Sequence, residues 1–104
     1  MATAQLFKAL GDPVRLRMIE RLSDGSVQTI NSLIQNTNLS RQGARKQMQV
    51  LASAGLIELK PDGREVHVSL NMAELEKGKV FIEKLEAQWD KRLQKLKMLS
   101  EKSV

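Results

Sequence analysis

Residues 39–66 read LSRQGARKQMQVLASAGLIELKPDGREV, and the reading of this stretch decides the fold. Leu39 can pack behind Ser40, whose hydroxyl suits a helix N-cap. Ala44, Met48 and Leu51 at i, i+4 and i+7 then give the helix one narrow inward stripe. Arg41, Gln42, Arg45, Lys46 and Gln49 point outward with no acid among them. An ordinary solvated face mixes Glu or Asp with its Lys and Arg, so this one asks for a partner. Gly55 ends the helix. Beyond it Ile57 and Leu59, then Val66, Val68 and Leu70, alternate with polar residues about Pro61-Asp62-Gly63. That pattern predicts a β-hairpin with Lys60 and Arg64 beside its tip.

Upstream, TAQLFKAL puts Leu6, Phe7 and Leu10 at helical spacing before the stop signal Gly11. Asp12 followed by Pro13 is an N-cap with a first-turn proline, and Leu16, Met18, Ile19 and Leu22 supply a buried stripe as far as Asp24-Gly25. Arg15, Arg17 and Arg21 read as a solvated face of this second helix, with phosphate contact as the alternative. Asn31 is expected to cap a short third helix holding Leu33 and Ile34, which the turn-forming Asn36-Thr37-Asn38 interrupts. Downstream, Asn71-Met72-Ala73-Glu74 has capping-box spacing. The remainder to about Ser100 is a long helix with Leu75, Ile82, Leu85, Trp89, Leu93, Leu96 and Leu99 along one side. Nothing in the first 70 residues is large enough to cover that side.

Composition narrows the chemistry. The chain has 104 residues, the size of one small domain, and 17 Lys+Arg against 12 Asp+Glu give a net charge of +5, which favours a polyanionic partner. Without Cys there is no disulfide, thiolate nucleophile or Cys-based zinc site, and His67 is the only imidazole. A hydrolytic triad cannot be assembled, so an enzyme is not expected, and no motif asks for a cofactor. His67 sits between Val66 and Val68, which face the core, so its ring should face solvent or DNA rather than a metal. No apolar run approaches the roughly 20 residues of a membrane span. The start MATAQLFKALGD lacks the pattern of a signal peptide, which gives a cytoplasmic expectation.

Two helices joined by a tight turn, the second rich in donors and followed by a hairpin, describe a winged helix-turn-helix. The fold expected is therefore mainly α with a small β-hairpin wing. Residues 1–70 would form a DNA-binding core and residues 71–104 a long C-terminal dimerisation helix. Double-stranded DNA would be bound through the helix 40–54 and the wing 58–68. Arg reads guanine O6 and N7 through a bidentate fork and Gln reads adenine N6 and N7, so Arg41, Gln42 and Arg45, in the first two turns, are the base-reading candidates. Ser40, Lys46, Gln49, Lys60 and Arg64 are assigned to the DNA backbone.

The segments LFKALGDPVRLRMIERL, LSRQGARKQMQVLASAGLIEL and PDGREVHVSL together resemble the ArsR family of bacterial winged-helix repressors, in the same order and spacing, over about residues 5 to 70. The resemblance implies a homodimeric repressor that binds an operator palindrome and releases it on a signal. Metal-sensing members carry paired cysteines at the start of the first helix of the motif. The matching positions here are Thr29 and Asn31, neither a soft ligand. The long helix with WDKRLQKLKML is similar to a non-metal-sensing branch, and Thr37 replaces the apolar residue expected before the turn.

A leucine-rich side on the last helix wants a second apolar surface, and a homodimer through Leu75, Ile82, Leu85, Trp89, Leu93 and Leu96 would place two recognition helices about one DNA turn apart. Fold-back onto the chain's own domain is the alternative. For control, the expectation is either an unknown apolar small-molecule effector near Phe81 and Trp89 or no ligand at all, with regulation through the protein's own abundance. A hard-ion carboxylate site at the dimer interface using Glu74, Glu83 or Glu86 is the lesser alternative. Two rival functions use the same fold: a protein-interaction module, and a sequence-indifferent DNA-binding protein.

Overall fold

A computed structural model of the chain describes residues 2–102, in the order α1 (Ala2–Leu10), α2 (Pro13–Leu22), β1 (Gln28–Thr29), α3 (Ile30–Ile34), α4 (Arg41–Ser53), β2 (Ile57–Asp62), β3 (Glu65–Leu70) and α5 (Met72–Lys102). This is the winged helix-turn-helix, mostly helical with a small antiparallel sheet. Helix starts follow the capping chemistry. Asp12 accepts from the backbone N–H of Val14 at 3.0 Å and of Arg15 at 3.1 Å. Ser40 Oγ accepts from Gly43 N–H at 3.0 Å, which fixes where α4 begins. The cap of α3 is Thr29 rather than Asn31: its hydroxyl accepts from Ser32 N–H at 3.1 Å. Thr29 is still extended, as an N-cap must be, and the chain turns helical directly after it.

That extended pair, Gln28 and Thr29, is a strand that two residues of sequence could not announce. It pairs with β3 in the register Gln28↔Val68 and Thr29↔His67, so the sheet has three strands in the order β1-β3-β2. The β2–β3 register runs from Ile57↔Leu70 to Asp62↔Glu65. Pro61 and Asp62 therefore stay in the strand, where an edge position tolerates proline, and the loop is only Gly63-Arg64.

The core joins Leu6 of α1, Met18, Ile19 and Leu22 of α2, Leu33 of α3, Met48 and Leu51 of α4, and Leu56, Ile57 and Val68 of the wing. Leu16 is not in it. It is 44% exposed, because Met18 and Ile19 lie 200° and 300° further round α2 and set a different inward face. Arg15 and Arg21 also depart from a solvated face. Arg15 donates to Ala9 O (2.6 Å), Lys8 O (3.3 Å) and Gln47 Oε1 (2.8 Å). Arg21 donates to Leu33 O (2.6 Å) and Gln35 O (3.0 Å), satisfying carbonyls at the end of α3. At the other end of α4, Gly55 takes φ +79 while Leu56 N–H donates to Leu51 O and Gly55 N–H to Ala52 O, a Schellman closure that turns the chain into β2.

Helix α5 begins inside the domain and leaves it. Asn71 Oδ1 accepts from Ala73 N–H at 3.2 Å, but Glu74 reaches Lys77 Nζ at 2.8 Å instead of closing the capping box. Leu75 packs against the chain's own core, which removes it from the expected dimer face. Gly78 is buried where α5 crosses α1: a Cβ there would lie 2.5 Å from Leu6 Cδ2. The crossing means that the boundary expected at residue 70 cuts through packed structure. From Lys79 to Glu101 every residue is exposed. The chain measures 70 × 25 × 24 Å, with a radius of gyration of 19.1 Å against about 13 Å for a compact chain of this length.

Candidate nucleic-acid interface

Position along α4 sorts its side chains by direction. Ala44, Met48 and Leu51 are buried, as their spacing predicts, and this holds the opposite face outward. Arg41, Gln42, Arg45, Lys46 and Gln49 are all exposed, and no ion pair engages any of them among the described residues. At 100° per residue, Gln42, Lys46 and Gln49 form a crest opposite Ala44, while Arg41 and Arg45 lie on one flank. That flank meets the sheet, in a shallow crevice that Arg41 and Arg45 share with Thr29, Asn31, Glu65 and Val66.

Glu65 is the residue that sequence reasoning missed. The helix is acid-free, but strand register brings a wing carboxylate to the edge of its arginine pair. Register also assembles an acidic outer face on the hairpin. Lys60 stands opposite His67 and Asp62 opposite Glu65, and His67 Nε2 lies 3.7 Å from both Asp62 Oδ2 and Glu65 Oε2. The imidazole lies on the hairpin's outer face, partly covered, with the two exposed carboxylates beside it. Lys60 and Arg64 are exposed, with Arg64 in the loop itself. Beside an outward face built from Glu58, Asp62, Glu65 and His67, Lys60 and Arg64 are the cations that the described wing residues offer a polyanion.

The turn before α4 is held by its own polar groups. Asn36 adopts φ +63, and Thr37 Oγ1 donates to Ile34 O at 2.6 Å and accepts from Leu39 N–H at 3.3 Å. The hydroxyl at a position where an apolar residue was expected thus closes α3 and orients Leu39. Ser40, spent as acceptor on its cap, still has its own proton to donate outward.

The features placed on α5 do not converge within one protomer. Phe81 packs against Phe7 with the rings tilted, centroids 5.7 Å apart at 57°, whereas Trp89 lies two turns further along and is 59% exposed. Glu74 and Glu83 are separated by about 13 Å of helix, with Glu74 paired to Lys77 and Glu83 3.9 Å from Lys79. Ile82, Leu85, Trp89, Leu93 and Leu96 are exposed along the helix. Among the described residues no helix is long and apolar enough to cross a membrane.

This arrangement has counterparts. A helix-turn-helix domain model matches residues 10–60. An ArsR-like transcriptional regulator from Rhodococcus sp. RHA1 is 33% identical, with a TM-score of 0.77 over 94% of this chain and 92% of that one. A possible transcriptional regulator for arsenical resistance is 27% identical, with a TM-score of 0.70 over 78% of this chain and 82% of that one. A further structure, of an ArsR family transcriptional regulator, reaches a TM-score of 0.79 at 21% identity over 86% of this chain and 91% of that one, a likeness of fold alone. No curated protein sequence matches the chain.

Proposed function

The chain belongs to the ArsR family of transcriptional regulators, helix-turn-helix proteins that bind DNA, and we propose that it acts as a homodimeric repressor of a palindromic operator. The observation that carries the DNA reading is the α4 face: five exposed donor-rich side chains, none neutralised by an acid on the same helix. Arg41, Gln42 and Arg45 read base edges in the major groove, while Ser40, Lys46, Gln49, Lys60 and Arg64 take phosphates. Arg41 and Arg45, on the flank toward the wing, enter the groove beside Glu65, which discourages any approach that brings a phosphate to that flank.

The dimer reading is supported by area. The chain exposes 7852 Å² where a compact monomer of its mass exposes ~5,900 Å², an excess of roughly 2,000 Å². Exposed Ile82, Leu85, Trp89, Leu93 and Leu96 supply an apolar seam for a second copy. Charge supports an antiparallel seam. Residues 74–86 hold four acids and three bases, residues 90–102 two acids and five bases, so opposed helices set the more acidic half against the basic one. Two copies so joined present two α4 helices to successive major grooves and occlude the duplex between them, which favours repression.

Thiophilic metals are not its signal. Thr29 and Asn31 stand where the resemblance puts cysteines, and the Thr29 hydroxyl is committed to capping α3. Selection of bound genomic fragments by the full chain tests the whole reading: enrichment of an inverted repeat, with half-sites about one helical turn apart, is expected. Equal recovery of all sequences would leave a sequence-indifferent binder, and no recovery would leave a protein-interaction module.

A further inference from the structure

A hollow of about 340 Å³ lies between α2 and the turn that precedes α4, apart from both the α4 face and the α5 seam. Val14, Met18, Leu33 and Leu39 make an apolar floor, and Arg17 and Asn38 stand exposed at its rim. The three arginines of α2 have different fates. Arg15 and Arg21 are spent on carbonyls, Arg15 also on Gln47, whereas the Arg17 guanidinium has no hydrogen bond or ion pair among the described residues. Asn38 likewise leaves its carboxamide free.

The geometry points to a binding site for a small amphipathic carboxylate, an aromatic or short-chain acid whose apolar body lies on the floor and whose carboxylate takes the Arg17 fork. The volume is at the lower end for small-ligand sites, which suits a molecule the size of a substituted ring. A guanidinium binds a carboxylate through two parallel hydrogen bonds, and the Asn38 amide offers a further donor. An inorganic anion would leave the floor unused, and a neutral apolar molecule would leave Arg17 unused. The position gives such a ligand a route to control. Leu39 belongs to the floor and is bonded to Ser40, so an occupant that displaces Leu39 moves the cap of α4 and with it Arg41 and Gln42.

The test uses the full-length, isotope-labelled protein with benzoate, phenylacetate and hexanoate as probes and benzamide as the neutral control. Saturable shifts of the Val14, Met18 and Leu39 resonances are expected with the acids. Benzamide and the Arg17→Ala variant should each bind about tenfold more weakly or worse, and Arg17→Lys should restore part of the loss. Absence of saturable shifts at millimolar probe, an equal response to benzamide, or unchanged binding in Arg17→Ala overturns the site. In a second arm, saturating acid should weaken DNA binding about fivefold or more, while ligand-free Arg17→Ala keeps its DNA affinity. Loss of DNA affinity in that ligand-free variant would make Arg17 a phosphate contact and overturn the carboxylate site, and an acid that binds without affecting DNA overturns its role as effector. This arm rests on the DNA reading above and the first does not, so a protein that bound benzoate but no DNA would fault that reading alone.

Discussion

Arg15 Nη1 donates to Gln47 Oε1 at 2.8 Å across 32 residues of sequence, tying α2 to the inner flank of α4. The same guanidinium holds Ala9 O and Lys8 O at the end of α1, so one side chain sets three helices against each other. Arg15→Ala should destabilise the fold by about 2–3 kcal/mol, read by urea unfolding, because it leaves part-buried acceptors without a charged donor. Arg15→Lys should recover little, since a point charge cannot span three acceptors as a planar fork does. Full recovery by lysine would mean that charge, not geometry, is what the three helices share.

Leu75 and Leu93 occupy the same helix and should fail in different ways. Leu93→Glu puts a charge on the exposed seam and is expected to leave a folded monomer, the dimer weakened about a hundredfold, roughly 2.7 kcal/mol, in sedimentation. Leu75→Glu buries a carboxylate against the core and should lower the unfolding midpoint before it touches assembly. A Leu93→Glu protein that still sediments as a dimer at micromolar concentration removes the seam from the interface.

For the α4 face, Arg45→Ala should cost about 1 to 3 kcal/mol on a selected site and relax preference at one position per half-site. Lys46→Ala should weaken all sequences alike and make the salt dependence shallower by about one unit per lost contact. Equal loss on selected and random DNA for Arg45→Ala would reassign that residue to the backbone.

Gly78→Ala sets two effects in opposition. Helix propensity favours alanine by about 1 kcal/mol, but its Cβ would press on Leu6, which is 2% exposed and has no room to yield. Overpacking of this kind costs about 1–3 kcal/mol, so a net loss of stability is expected on thermal unfolding. A gain would show that the α1–α5 crossing relaxes freely.

Zinc, arsenite and a chelator should leave the DNA complex intact when titrated at micromolar concentration. Such ions need thiolates or several imidazoles, and the chain has no Cys and one His. Release at stoichiometric metal would require a ligand set built from carboxylates across the proposed dimer.

The parts of this fold legible in sequence are those where one residue type has one job. Asp12-Pro13, Ser40 and Gly55 mark their helix ends correctly because each satisfies, or replaces, a backbone group its neighbours cannot. Where a residue has several possible jobs the reading failed. Thr29 and Asn31 can both cap, and only the pairing of Thr29 with His67 decides between them. Arg15, Arg17 and Arg21 look alike, yet long cationic side chains can fold back onto carbonyls as readily as extend into water. The exposed face of α4 was legible from the period of Ala44, Met48 and Leu51. Its acidic neighbour Glu65 was not, because strand register is a property of two segments rather than one.

The pairing of β1 with β3 has a kinetic side. Gln28 meets Val68, so α3, α4 and β2 all lie within a forty-residue loop closed by a two-residue strand. Closing such a loop costs about 3 kcal/mol of chain entropy beyond a constant, and two strand pairs cannot repay it alone. Repayment comes from packing α3 and α4 on the sheet, so recognition helix and wing should acquire structure in one cooperative event, and a pull on the hairpin reaches the start of α3 directly, because Thr29 is both the last strand residue and the cap of that helix.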